Sequence, residues 1–333
     1  MRGNYNHGVR VTIAFKKPCP WAKGVRMLKT ERKGKWLEII VPPKWNDMTI
    51  DDLFRKIWEA PKKLIYHFQM ENKVLLNGNK PNWNLPLVQG NKLMVLLFED
   101  YFGEVSPTYH EIPILYEDDH LMVFNKPAFI STHPNNIQLE TDTLLNAALY
   151  YLQAKGEFCN IRHIHRLDRD TTGAILFAKH SLAGAILDRM LEQRKIKRTY
   201  IAIVNGTLSS KRGTIQEPIG RDRHHATKRR VSSTGQEAIT HFQVLRVDKA
   251  AKHTYIKCWL DTGRTHQIRV HFSHLGHPLA GDVLYGGGSL FKRQALHAAK
   301  LEFLHPITDE KIICHAPFID KPPIFKGINI DEI

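Results

Sequence analysis

His165-Arg-Leu-Asp-Arg-Asp-Thr-Thr-Gly173 stands between two strand-like runs, Ile161 to Ile164 and Ala174 to Ala178. A short polar segment gripped by a strand at each end is a common setting for reactive groups. Asp168 lies between Arg166 and Arg169. Neighbouring cations favour the ionised carboxylate, which is the form a nucleophile or base needs. The same residues also fit a plain turn, with Asp and Thr side chains satisfying the backbone and the arginines in solvent.

Around this loop the sequence reads as one large unit, residues 111–325. Ile112 to Tyr116 and His120 to Asn125 flank Glu117-Asp-Asp119 in a hairpin pattern. Thr143 to Gln153 predicts a helix capped by Asp142. Behind Ser181, Leu182, Ile186, Leu187, Met190 and Leu191 form an apolar stripe at helical spacing. Tyr200 to Val204, Ala238 to Val247 and Thr254 to Leu260 predict strands. His266 to Leu275 predicts a helix with Thr265 as cap, Gly276 as stop, and Ile268, Phe272 and Leu275 facing the core. Strands outnumber helices and are interspersed with them. The expectation is an α+β fold with a mixed, mainly antiparallel sheet.

Residues 1–100 form a smaller unit. Trp36 to Pro42 and Lys92 to Phe98 are strand-like, and Lys73-Val-Leu-Leu-Asn-Gly78 runs into an Asn-Gly turn. Thr49 to Trp58 predicts a short helix with Asp51 and Asp52 in its first turn. Residues 101–110 are expected to link the units, and 326–333 to be a tail.

Composition narrows the function classes. An apolar fraction of 42% with 24% charged residues excludes long disorder. Lys and Arg number 48 against 33 Asp and Glu, a net charge of +15 and a pI near 9.6. That balance points to a polyanionic partner. Cys19, Cys159, Cys258 and Cys314 form no CxxC pair, so neither a zinc ribbon nor a disulfide scaffold is expected, and a reducing compartment fits. No run of about 18 apolar residues occurs. Met1 to Lys17 lacks the apolar stretch of a secretory signal. The expectation is a monomer in the cytoplasm, without membrane contact.

The sequence resembles the RluA-type pseudouridine synthases in five segments, in family order, spanning about 110 to 320. His165-Arg-Leu-Asp168 with Thr171-Thr-Gly173 is similar to the catalytic loop, with Thr172 where the family usually has Ser. Ile114 to Pro127 with His133-Pro134 resembles the opening strands, and Lys197-Arg-Thr-Tyr-Ile-Ala-Ile-Val-Asn-Gly206 the tyrosine segment. Gly263-Arg-Thr-His-Gln-Ile-Arg-Val-His271, with Leu275 to Pro278, Gly281-Asp282 and Tyr285-Gly286, resembles the arginine helix. Ala295 to Ala298 and Phe303 to Pro306 resemble the closing strand.

The resemblance implies an RNA pseudouridine synthase, which detaches uracil, rotates it and rejoins it through carbon 5. It implies that Asp168 attacks the target uridine, that Arg269 pairs with Asp168, and that Tyr200 packs on the uracil and assists the final proton removal. Arg166 would fill the gap left in the RNA stack. A stacked base must be flipped out before it is attacked, and guanidinium planes and aromatic rings stack well on bases. Read as residues alone, Tyr200 also fits a core tyrosine and Arg269 a surface helix arginine. Thr49 to Phe98 resembles the small α-L RNA-binding module, but Pro61 interrupts its helical part and Asn72 stands where Gly is usual.

Arg221, Arg223, Lys228, Arg229 and Arg230 fall in one basic segment without apolar periodicity, expected to be an exposed loop on the RNA backbone. Arg169, Arg264 and His266 are further RNA-contact candidates. No metal or other cofactor is expected. His266, His271, His274 and His277 lack a carboxylate or Cys at ligand spacing, and Arg169 between Asp168 and Asp170 disfavours a magnesium pair. Two rivals remain on the sequence alone: a non-catalytic RNA-binding or ribosome-assembly factor, and a metal-dependent RNA hydrolase. The RNA, ribosomal or transfer, is open.

Overall fold

A computed structural model describes residues 28–333; Met1 to Lys17 and Cys19 lie outside them. The first sheet contains β1 (Thr30–Lys33), β2 (Trp36–Ile40), β3 (Val74–Leu76) and β4 (Lys92–Leu96), antiparallel in the order β1-β2-β4-β3. Thr49 Oγ1 accepts the Asp52 N–H and starts α1 (Ile50–Asp52). The chain continues through a wider π-type turn, Leu53–Ile57. Pro61 then begins α2 (Lys62–Met70) rather than breaking a helix, since proline lacks only an N–H that a helix start leaves unused. Asn72 follows at φ 52°, the left-handed turn that Asn tolerates.

The second sheet carries β5 (Ile114–Glu117), β6 (Leu121–Lys126), β7 (Arg162–His163), β8 (Thr172–Ala178), β9 (Lys197–Asn205), β10 (Arg212–Gln216), β13 (Ile239–Asp248), β14 (His253–Leu260), β15 (Leu296–Leu304) and β16 (Lys311–His315). A separate hairpin pairs β11 (Ile219–Arg221) with β12 (Arg229–Val231). The path runs β10-β13-β14-β9-β15-β8-β6-β5, with β16 beside β15 and β7 beside β8. Every pair is antiparallel except β8 with β15. The mixed, mainly antiparallel α+β expectation is borne out.

Alternation along buried strands splits the core between two faces. Ala174, Leu176 and Ala178 of β8 face one side, and Ile175 and Phe177 the other. The first side is covered by α4 (Ser181–Glu192) through Leu182, Ile186 and Leu187. Phe54, Trp58 and Phe68 of the N-terminal unit join the same apolar cluster. The second side is covered by α3 (Leu144–Ala154) through Leu144, Ala148 and Leu152, and by α5 (Gln267–His274) through Ile268 and Phe272. Tyr200 and Leu167 lie on that second side.

Several local expectations need correcting. Thr143, not Asp142, caps α3, in a reciprocal box with Asn146. At α4, for which no cap was expected, His180 caps the start, its ring accepting the Ala183 N–H. Residue 266, not Thr265, caps α5: His266 takes a left-handed backbone at φ 60° and makes no side-chain cap bond, while the Gln267 side chain turns back to accept the Arg264 N–H at 3.0 Å. Leu275 is exposed, because it falls past the last buried turn. The basic segment is the tip of the β11–β12 hairpin: Arg221, Arg229 and Arg230 stand in its strands, and Arg223 and Lys228 in the irregular loop 222–228 between them. Ile333 is buried with Ile201 and Phe325.

Candidate active site

The segment from His165 to Thr171 leaves β7 and enters β8 where the large sheet divides. There β15 pairs with β8 through His297 and Ala298, and with β16 from Lys300 onward. Gly173 sits at φ +113°, and a Cβ on it would lie 2.2 Å from the Ala298 carbonyl oxygen. Only glycine permits that approach.

Two buried cations pin the loop from behind. Lys126 donates to the carbonyls of Pro127, Ile130 and Arg169 at 2.8, 2.8 and 2.9 Å. Burial pushes its ammonium down to about 7, against the pull of Asp168 and Asp170. Arg293 binds Asp320 through two nitrogens, donates to Thr172 Oγ1 at 3.0 Å, and reaches the Asp170 carbonyl at 3.4 Å. His297 Nδ1 holds the same Thr172 hydroxyl at 2.7 Å. Thr132 Oγ1 closes both polar groups of Leu167. With its backbone bonds taken up by rigid partners, the loop presents Asp168 in a fixed place.

Asp168 Oδ2 accepts from Arg269 Nη1 at 3.0 Å. Arg269 Nε and Nη2 grip both oxygens of Asp282, at 2.7 and 2.9 Å. Asp282 is buried, so it holds the guanidinium plane and leaves one N–H edge for Asp168. The two carboxylates raise Arg269 above its ordinary value against the cost of burial. Asp168 Oδ1 has no hydrogen-bond partner among the described residues and is free to react. His266 Nε2 stands 3.9 Å from Oδ2.

The site opens into a cleft of about 540 Å³, lined among others by Arg166, Asp168, Arg194, Arg198, Tyr200, Arg264, His266 and Arg269. Tyr200 is buried on β9, and burial raises its phenol above the ordinary value, so it stays protonated. Arg264 Nε donates to the Glu237 carbonyl at the rim. Arg169 is not at the cleft; it is exposed and donates to the Phe129 carbonyl. Arg221, Arg223 and Arg230 are exposed on the hairpin, while Lys228 and Arg229 are half-buried beside Tyr285.

Residue reading alone gave no role to Asp282, Lys126, Arg293, Tyr285 or Arg198. Arg198 lines the cleft two residues before Tyr200, and its Nε is buried without a partner among the described residues. Arg198 stands between Lys197 and Thr199 at the polar start of β9, where no pattern set it apart; a lone Asp after Gly281 was the available signal for Asp282. Among the described residues, no group of three or more His, Cys, Asp or Glu side chains is placed to hold a metal.

A rigidly held carboxylate with one free oxygen, clamped by a buried arginine in an open basic cleft, defines an enzyme doing covalent or acid–base chemistry on a large anionic substrate. The comparisons specify which. Residues 120–274 match the RNA pseudouridylate synthase family, and residues 37–93 match the N-terminal domain of RluD ribosomal pseudouridine synthase. A Bacillus subtilis protein named uncharacterized RNA pseudouridine synthase YhcT is 48% identical over 86% of this chain and 95% of its own length. Ribosomal large subunit pseudouridine synthase D of Vibrio vulnificus is 39% identical over 82% of this chain and 87% of its own. The solved structure of human RNA pseudouridylate synthase domain containing 1 superposes with a TM-score of 0.52 at 28% identity, covering 63% of this chain and 85% of its own. The chain belongs to the RNA pseudouridylate synthase family; it is an RNA pseudouridine synthase, an isomerase acting on RNA.

Proposed function

We propose that this synthase modifies uridines of large-subunit ribosomal RNA, with Asp168 as the residue that attacks the flipped nucleotide. The observation that carries the role is the division of labour around Asp168. Asp282 takes two N–H groups of Arg269 and Asp168 only one, so one Asp168 oxygen faces the cleft unengaged. Tyr200 supplies a ring face for the uracil, and Arg166 is placed at the cleft to fill the vacated stack.

A further observation supports the RNA reading. Arg221 lies directly opposite Arg229 across the hairpin. Like charges so placed destabilise a two-stranded ribbon unless an anion lies between them, as a phosphate would. The ribosomal choice is supported by the names of the relatives and of the N-terminal domain. The free thiols Cys159, Cys258 and Cys314 fit a reducing compartment such as the cytoplasm.

Pseudouridine maps of ribosomal and transfer RNA, made with and without this protein, test the substrate. Sites lost from large-subunit ribosomal RNA alone are expected. Sites lost only from transfer RNA would replace the ribosomal assignment.

A further inference from the structure

Tyr285 ends a short 3-10 turn, Val283–Tyr285, and is only 5% exposed. Its ring packs with Ile219 and Val231 of the β11–β12 hairpin and with Val270 of α5. Its hydroxyl oxygen accepts the backbone N–H of Arg229, the first residue of β12, at 2.9 Å. The same oxygen lies 2.9 Å from His266 Nδ1. The phenol has one proton that it can donate to Nδ1. In the tautomer that accepts this bond, His266 carries its own proton on Nε2, the nitrogen 3.9 Å from Asp168 Oδ2. The ring also carries two cations, Arg269 at 5.0 Å and Lys228 at 5.6 Å from its centre.

One side chain thus touches the hairpin backbone, a hairpin cation, and both groups flanking the hydrogen-bonded oxygen of Asp168. His266 is held at φ 60°, a conformation few residues other than glycine adopt, so its placement depends on such partners. Burial pushes the phenol up to about 12 and lowers His266, which favours the neutral form of both.

We propose that Tyr285 is a positioning residue that couples RNA engagement by the β11–β12 hairpin to the Asp168–Arg269 pair. This rests on the reading of the hairpin as an RNA-backbone contact. A phosphate held by the exposed Arg221, Arg223 and Arg230 fixes the hairpin and settles β12. The Arg229 amide, Tyr285 and His266 then settle with it, and the site is ordered when RNA is present.

The test is a cycle of kcat and KM on an RNA fragment, using the parent, Tyr285→Phe, a hairpin variant (Arg221→Gln, Arg223→Gln and Arg230→Gln together), and the combination. Tyr285→Phe keeps the ring and loses both hydrogen bonds. It is expected to lower kcat about tenfold with KM within about twofold, the scale of a lost buried hydrogen-bond pair. The hairpin variant is expected to raise KM and lower kcat in the parent, but to raise only KM in the Phe background. An unchanged kcat for Tyr285→Phe overturns the proposal, and so does an equal fractional loss of kcat from the hairpin variant in both backgrounds. A hairpin variant with unchanged KM removes the RNA-contact reading itself, and the coupling with it. If Tyr285→Phe does not fold, His266→Gln replaces it: it keeps a donor near the Nε2 position, cannot accept at Nδ1, and must also abolish the hairpin's effect on kcat.

Discussion

Asp168 and Asp282 are both carboxylates on one guanidinium, yet only Asp282 is fully buried and doubly bonded. Asp282 therefore fixes the direction in which Arg269 offers its remaining N–H. Asp282→Ala should let Arg269 turn and engage both oxygens of Asp168. Breaking a buried pair costs roughly 3 kcal/mol, so a lower melting temperature and a kcat at least tenfold down are expected. Melting curves and steady-state kinetics check this; a kcat equal to the parent's would leave Asp282 as structural support only. The pairing Asp168–Arg269 was legible because each residue sits in a motif. Lys126, Asp282 and Tyr285 also fall in the segments that resemble the family, but which groups they hold is set by the folded contacts, and Arg293 lies outside those segments. Lys126 reaches the Arg169 carbonyl and Arg293 the Thr172 hydroxyl, and no local pattern announces either.

The elements read well where burial was strong and poorly where it was not. Thr172–Ala178 is buried along its whole length, and its apolar run was plain. Strands β10, β11 and β12 carry Arg, Gly and Gln and bury little, so periodicity could not find them. Caps went astray by one residue at α3 and α5 because several polar residues stood side by side at each start, and only the folded geometry chooses between them. The hairpin has its own consequence. Arg221, Arg223 and Arg230 point into solvent, whereas Lys228 stacks over Tyr285. Neutralising the three exposed arginines should flatten the log–log salt dependence of RNA binding by about 2 to 3 units if each touches a phosphate. Filter binding at several salt concentrations reads it, and the modified positions should not move. An unchanged slope would make the hairpin a solvated charge cluster.

Across the whole molecule, one apolar cluster runs from the N-terminal sheet into the α4 face, so the two matched regions share a core. The surface ion pairs between them, such as Arg189 with Glu59, add little to that. The interior is rich in neutral histidines. Burial holds His120, His163 and His297 down to about 4, and His165 to about 3. Their unfolded value is 6.5, so between about 6.5 and 4 the unfolded chain binds more protons than the folded one. Their contribution to stability is complete above 6.5 and is lost as pH falls. The melting temperature should already decline between pH 6.5 and 5.5, before carboxylates with ordinary values titrate; a flat profile there would contradict it. The fold class and the site's central residues were readable because the RluA-type segments occur in order, whereas the way the two units pack was not, since Phe54 and Trp58 meet α4 only in three dimensions. The central claim is that Asp168 does the chemistry. Its most direct test is tritium release from RNA labelled at uridine carbon 5, with the parent and with Asp168→Asn, alongside RNA affinity. The account requires turnover below about 1% of the parent with affinity within a few-fold. Turnover above that level, from a variant that still binds and folds, would contradict it.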